Sequence, residues 1–115
     1  MGKNVFIDID GTLVNYKNEL PDSAFFALKE AKKNNHRIIL CTGRTRFKIP
    51  KDISDFEIDG LIAGNGCYIE AENHVILDKT LSLKDCTDIV DWLTERNIGF
   101  YHNCSNKIYA NETFR

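Results

Sequence analysis

The sequence predicts an α/β fold built on a parallel sheet, and three observations carry that prediction. Elements alternate as strand, helix, strand, short irregular helix, strand, which implies parallel strands joined by right-handed crossovers. The first strand, Asn4 to Ile9, is a continuous apolar run, as expected where both faces of a sheet are covered by helices. The polar residues Asp8, Thr42 and Asn65 fall at the carboxyl ends of the three strands, where open α/β sheets bind ligands.

The elements follow in order. Pro21-Asp22-Ser23 opens a helix; Phe25, Leu28 and Ala31 lie at helical spacing, and Lys32-Lys33-Asn34-Asn35 closes it. Arg37 to Thr42 is a second buried strand. Pro50 interrupts the stretch from Arg44 to Asp59, which therefore holds at most a short helix or two turns. Leu61 to Ala63 is a third, short strand. Cys67 to Ile69 and Val75 to Leu77 then read as a hairpin around Glu72-Asn73. Ser82 caps a second helix, with Asp85 three residues on in capping-box position. Cys86, Ile89, Val90 and Leu93 form its apolar stripe and Gly99 ends it. Phe100 to Tyr101 and Lys107 to Tyr109 read as two strands around Asn103 to Asn106.

The chain has 115 residues, enough for one domain. Its apolar fraction of 43% and charged fraction of 28% are those of a soluble globular protein. A net charge of −2 gives no electrostatic case for nucleic acid or an anionic membrane. No apolar signal region or membrane-length run is present. Cys41, Cys67, Cys86 and Cys104 form no C-x-x-C pair and are expected as reduced thiols in a cytoplasmic protein.

The chemistry concentrates at Val5 to Thr12, V-F-I-D-I-D-G-T. Two carboxylates two residues apart, at the end of a strand, can face one point. They repel unless a cation or proton lies between them. That is the arrangement of a magnesium site containing a nucleophile. An Asp-Gly hairpin turn is the competing reading, but a helix pattern follows instead of a second strand.

Asp8-Ile9-Asp10-Gly11-Thr12 resembles the first motif, D-x-D-G-T, of the haloacid dehalogenase-like hydrolase superfamily. Cys41-Thr42-Gly43-Arg44 resembles the second motif of its Cof-type sugar-phosphatase branch. Gly64-Asn65-Gly66-Cys67-Tyr68-Ile69 resembles the N-G-x-x-I segment of that branch. The resemblance implies a Rossmann-like parallel core, of which residues 1–80 are the first half, and an inserted α/β cap beginning at residues 81–115. It also implies that a third motif bearing a lysine, and a fourth bearing metal-binding acids, lie beyond this chain.

Roles follow by resemblance. Asp8 is the nucleophile, forming an aspartyl-phosphate, and Asp10 is the general acid and base, its pKa raised by its like-charged neighbour. Mg2+ is held by the Asp8 carboxylate and the Asp10 main-chain carbonyl, completed by an acid from outside the chain. Gly11, Thr42, Gly43 and Asn65 bind phosphate. The substrate is a small phosphorylated sugar or metabolite. The first strand is expected as an open edge that self-associates or meets the missing C-terminal half.

Other readings stand beside these. Thr42 can cap the following segment, and Asn65-Gly66 can be a tight turn. Arg44 is expected as a structural partner for an aspartate more than as a site cation. Asp85, Asp88 and Asp91 read as a solvated helix face. His74, His102, Cys67 and Cys104 match no common zinc spacing. Two other functional classes compete with a phosphatase. A two-component receiver domain would pair adjacent acids and end its third strand in aspartate, where this chain has Ala63-Gly64-Asn65. A non-catalytic remnant or binding module would keep the first two motifs without the machinery.

Overall fold

The computed structural model describes residues 1–104 and 106–114. The chain divides into two compact units, Met1–Asp78 and Lys79–Arg115.

The first unit is a five-stranded sheet in the order β1-β2-β3-β4-β5. Its strands are β1 (Asn4–Asp8), β2 (Arg37–Cys41), β3 (Gly60–Ala63), β4 (Tyr68–Ala71) and β5 (His74–Asp78). The first three run parallel, with Asp8 opposite Cys41 and Cys41 opposite Ile62. The last two are antiparallel additions. Only a 3-10 turn, Gly64–Gly66, separates β3 from β4, too short for the crossover that a parallel neighbour needs. Glu72 and Asn73 both take positive φ (50° and 63°), the two-residue turn whose twist matches a hairpin.

Between β1 and β2 lies α1 (Asp22–Lys33). Its end is a Schellman motif: Asn35 sits at φ 61°, its N–H donates to the Lys32 carbonyl, and that of His36 to Ala31. The stretch after β2 holds a 3-10 turn, Arg46–Lys48, and the one-turn α2 (Lys51–Ser54) behind Pro50. Lys32 ties α1 to the start of β3, donating to the Glu57 carbonyl (2.7 Å) and pairing with Asp59 (3.2 Å). Asp59 in turn accepts from the Ile38 amide at 2.8 Å.

One core holds the unit. Ile9, Leu13, Val14, Leu28, Ile38, Leu40, Ile53, Leu61 and Ala63 are buried together. Strand alternation explains the set, since Val5, Ile7, Ile38, Leu40 and Leu61 share one sheet face. The other face differs from the sequence expectation. Phe6 is 62% exposed, and Ile39 and Ile62 are half-buried. The apolar run Asn4 to Ile9 is thus covered on one face among the described residues, and β1 is an edge of the sheet. β1 also stops at Asp8, because Ile9 already accepts from the amides of Thr12, Leu13 and Val14 in a tight turn.

The second unit contains α3 (Leu83–Glu95) and a hairpin of β6 (Tyr101–Asn103) and β7 (Ile108–Ala110). Ser82 Oγ accepts from the Asp85 amide and its hydroxyl meets the Asp85 carboxylate, as its position requires. The helix ends before Gly99. Asn97, at φ 51°, closes a second Schellman motif in which Asn97 donates to Thr94 and Ile98 to Leu93. Cys86, Val90 and Leu93 face inward, whereas Ile89 is 45% exposed and leaves the expected stripe. β6 begins one residue and ends two residues beyond the expected Phe100 to Tyr101, and β7 is displaced by one residue from Lys107 to Tyr109. Of the turn between them, Ser105 is outside the described residues. Asp85, Asp88 and Asp91 lie exposed on α3, Asp88 paired with Lys84.

Candidate functional site

The carboxyl ends of β1, β2 and β3 gather the candidate residues. Asp8 ends β1 and is exposed; its carboxylate accepts from the Thr12 hydroxyl at 3.4 Å. The next residue, Ile9, is fully buried. It anchors the turn and leaves Asp10 and Gly11 projecting. Gly11 has φ 76°, and a Cβ there would meet nothing within 4 Å. The left-handed backbone and the open space beside it suit close approach of a ligand.

The loops after β2 and β3 are stitched together by their backbones. The Thr42 amide donates to Ile62 (2.8 Å), that of Gly64 to the Arg44 carbonyl (2.8 Å), and that of Asn65 to the Thr42 carbonyl (3.2 Å). Asn65 sits at φ 55°, a conformation that asparagine tolerates better than most side chains. Its Oδ1 lies 2.8 Å from where a Cβ on Gly43 would stand. Gly43 therefore lets Asn65 close over the β2 loop. Thr42, Gly43 and Asn65 are brought together, as the sequence ordering expected.

Thr42 is buried, and its hydroxyl oxygen accepts from the Arg44 amide at 3.0 Å. The capping reading is thereby realised. The hydroxyl proton remains available to a ligand oxygen, because accepting a bond does not use it. Thr45 Oγ1 in the same loop is buried without a partner among the described residues.

Asp10 departs from expectation. Two carboxylates in succession suggest a raised pKa; instead, the hydrogen bonds from Arg44 hold the Asp10 carboxyl below its ordinary value. Arg44 Nε donates to Oδ2 at 2.8 Å and Nη2 to Oδ1, a bidentate fork whose effect outweighs that of burial. The same guanidinium donates to Asn18 Oδ1 (2.6 Å) and to the Lys48 carbonyl (2.9 Å). Arg44 is thus the partner of an aspartate, as expected, and that aspartate is itself a site candidate. Asn18 went unrecognised in the sequence. Its only signal is an asparagine in the tight turn from Asn15 to Glu19, where it takes φ 62°.

Oxygen donors of this kind suit a hard divalent cation. Asp8 is exposed and takes part in none of the ion pairs found among the described residues, so its carboxylate is free to bind one. The Asp10 carboxylate is committed to Arg44, leaving its carbonyl as the group to offer. Among the described residues no cluster of three or more His, Cys, Asp or Glu side chains could hold a metal. The donors fit, and they form part of a shell. Cys41, opposite Asp8, has its thiol pushed up by burial and by the Asp8 charge. A separate cleft of about 550 Å3, lined by Arg46, Ile49, Phe56, Ile58 and Glu70 among others, contains none of these residues.

Residues 5–114 match a family described as haloacid dehalogenase-like hydrolase. Phosphatase YwpJ of Bacillus subtilis is 30% identical over 98% of this chain and 40% of its own length. From the same organism, 5-amino-6-(5-phospho-D-ribitylamino)uracil phosphatase YwtE is 31% identical over 85% of this chain and 34% of its own. The solved structure of the HAD subclass IIB sugar phosphatase BT4131 superposes with a TM-score of 0.78 at 25% identity, covering 99% of this chain and 46% of that one. The chain thus spans less than half the length of the curated relatives it matches. No described helix is long and apolar enough to cross a membrane.

Proposed function

Because the chain belongs to the haloacid dehalogenase-like hydrolase family, we propose that it supplies the nucleophile-bearing part of a magnesium-dependent phosphomonoesterase. The observation that carries this reading is the exposed, ion-pair-free carboxylate of Asp8 at the carboxyl end of β1, beside the stitched loops of Thr42, Gly43 and Asn65. Two phosphatases among the relatives, and a sugar phosphatase among the similar structures, support a small phosphorylated sugar or metabolite as substrate.

In this mechanism Asp8 attacks phosphorus and becomes an aspartyl-phosphate. Asp10, which must enter the first step protonated against the pull of Arg44, gives that proton to the leaving oxygen and later takes one from the attacking water. Arg44 favours the ionised form of Asp10, which is the form that accepts the water's proton. The Thr42 hydroxyl and the amides of Gly11 and Gly43 donate to phosphate oxygens, and Asn65, packed against Gly43, stands beside them. Mg2+, held by the Asp8 carboxylate and the Asp10 carbonyl, would neutralise phosphate charge. The mechanism also calls for a lysine and a further metal-binding acid, which no motif in these residues supplies. We assign residues 1–80 to the first half of the hydrolase core and 81–115 to the start of its cap, and place the protein in the cytoplasm.

The test uses a polypeptide carrying these residues together with the rest of a full-length relative's span. It should release phosphate from small phosphomonoesters with magnesium present, and Asp8→Asn should abolish turnover without unfolding it. Turnover that survives chelation, or survives that substitution, would sink the reading.

A further inference from the structure

In the second unit a thiol and an imidazole meet, and the hydrolase chemistry uses neither. Cys86 Sγ lies 4.0 Å from His102 Nδ1. Cys86 comes from α3 and His102 from β6, both half-buried. We propose that Cys86 is a thiol modification site, activated by His102, that takes small-molecule disulfides.

The surroundings of this sulfur favour its reaction. Cys86 lies in the first turns of α3, its amide donating to the Ser82 carbonyl. The His102 ring packs edge-to-face on Phe100, centroids 5.2 Å apart, which fixes the plane of the imidazole. To accept from the thiol, Nδ1 must be unprotonated, which puts the ring proton on Nε2. Among the described residues, Cys86 is the cysteine that meets an imidazole. Cys67 is exposed, and burial pushes the Cys41 thiol up.

The step balances. The thiol proton passes to His102 Nδ1. The Cys86 sulfur attacks one sulfur of the disulfide, the sulfur–sulfur bond breaks, and a mixed disulfide forms on Cys86. The departing thiolate takes the proton from the imidazolium. Cys86 is oxidised to the disulfide level, and half of the small disulfide is reduced to thiol.

The experiment exposes the 115-residue chain to oxidised glutathione and follows each cysteine by peptide mass spectrometry. Cys86 should be modified about tenfold faster than the more exposed Cys67. His102→Gln should bring Cys86 to the rate of Cys67 or below, leaving Cys67 unchanged. Equal rates at the two sites in the wild-type chain would overturn the proposal, and this comparison stands whether or not the variant folds. A fast Cys86 that persists in a folded His102→Gln chain would overturn it as well.

Discussion

At the residue scale, Gly43 and Asp10 are the positions where the site can be probed without catalysis. Gly43→Ala would put a methyl group 2.8 Å from Asn65 Oδ1. The side chain of Asn65 must then move. Amide resonances of residues 64–66 should shift together with those of 42–44; shifts confined to 42–44 would show that the two loops are not coupled. Asp10 gives a pH signature. Its carboxyl is held below the ordinary 3.8 by Arg44, so the pair contributes stability that is complete above that value and fades as pH falls further. The pair is half exposed, so its worth is at most about 1 kcal/mol. The stability gap between wild type and Asp10→Asn, read from urea midpoints, should be fully open well above pH 3.8 and narrow as pH falls below it. A gap independent of pH would refute the pairing. The placement of Asp8, Thr42 and Asn65 at or just past the carboxyl ends of β1, β2 and β3 was legible, because strand ends announce themselves in the sequence. The Asp10–Arg44 pairing was not. It joins residues 34 apart, and spacing alone cannot show which charge reaches a carboxylate first.

At the element scale, the capping chemistry separates what was legible from what was not. The start of α3 was written in Ser82 and Asp85. Its end was missed because asparagine can stand in for glycine in the left-handed position, and Asn97 does so two residues before Gly99. The same substitution occurs at Asn35. The covered and bare faces of β1 were also illegible, since a continuous apolar run does not say which helices are at hand. Two predictions belong here. Ser82→Ala removes the side-chain partner of the Asp85 amide and should cost about 1 kcal/mol, seen as faster hydrogen exchange through the first turn of α3. Leu40 is fully buried between β1 and β3, so Leu40→Ala should lower unfolding free energy by about 2–5 kcal/mol. A loss below that range in urea titration would mean that the core refills the space.

At the scale of the whole molecule, the expectation is low activity and association. Charge stabilisation is usually the largest catalytic term, and losing one donor costs about a hundredfold or more. On the proposed mechanism a lysine and a second acid come from outside these residues, so purified 1–115 should turn over phosphomonoesters at a small fraction of the rate of a polypeptide that carries them as well. A near-normal single-turnover rate would contradict this. The open edge of β1, five residues without proline and with Phe6 bare, is a template for another strand. We expect 1–115 to self-associate through it, or to pair with the remainder of a longer polypeptide. Slow exchange of the amides from Val5 to Asp8 in a sample that sediments as a monomer would refute this.

The stitched loops also bear on how the protein is made. Every partner in the hydrogen-bonded cluster of Asp10, Asn18, Thr42, Arg44, Ile62, Gly64 and Asn65 lies in the first 65 residues of the chain. A ribosome adding about 5–20 residues per second delivers domains amino-terminus first. The loops after β2 and β3 can therefore close on one another while the second unit is still being translated. The nascent chain then carries the joined loops, with the outer edge of β1 still open beside them, while the second unit is being made.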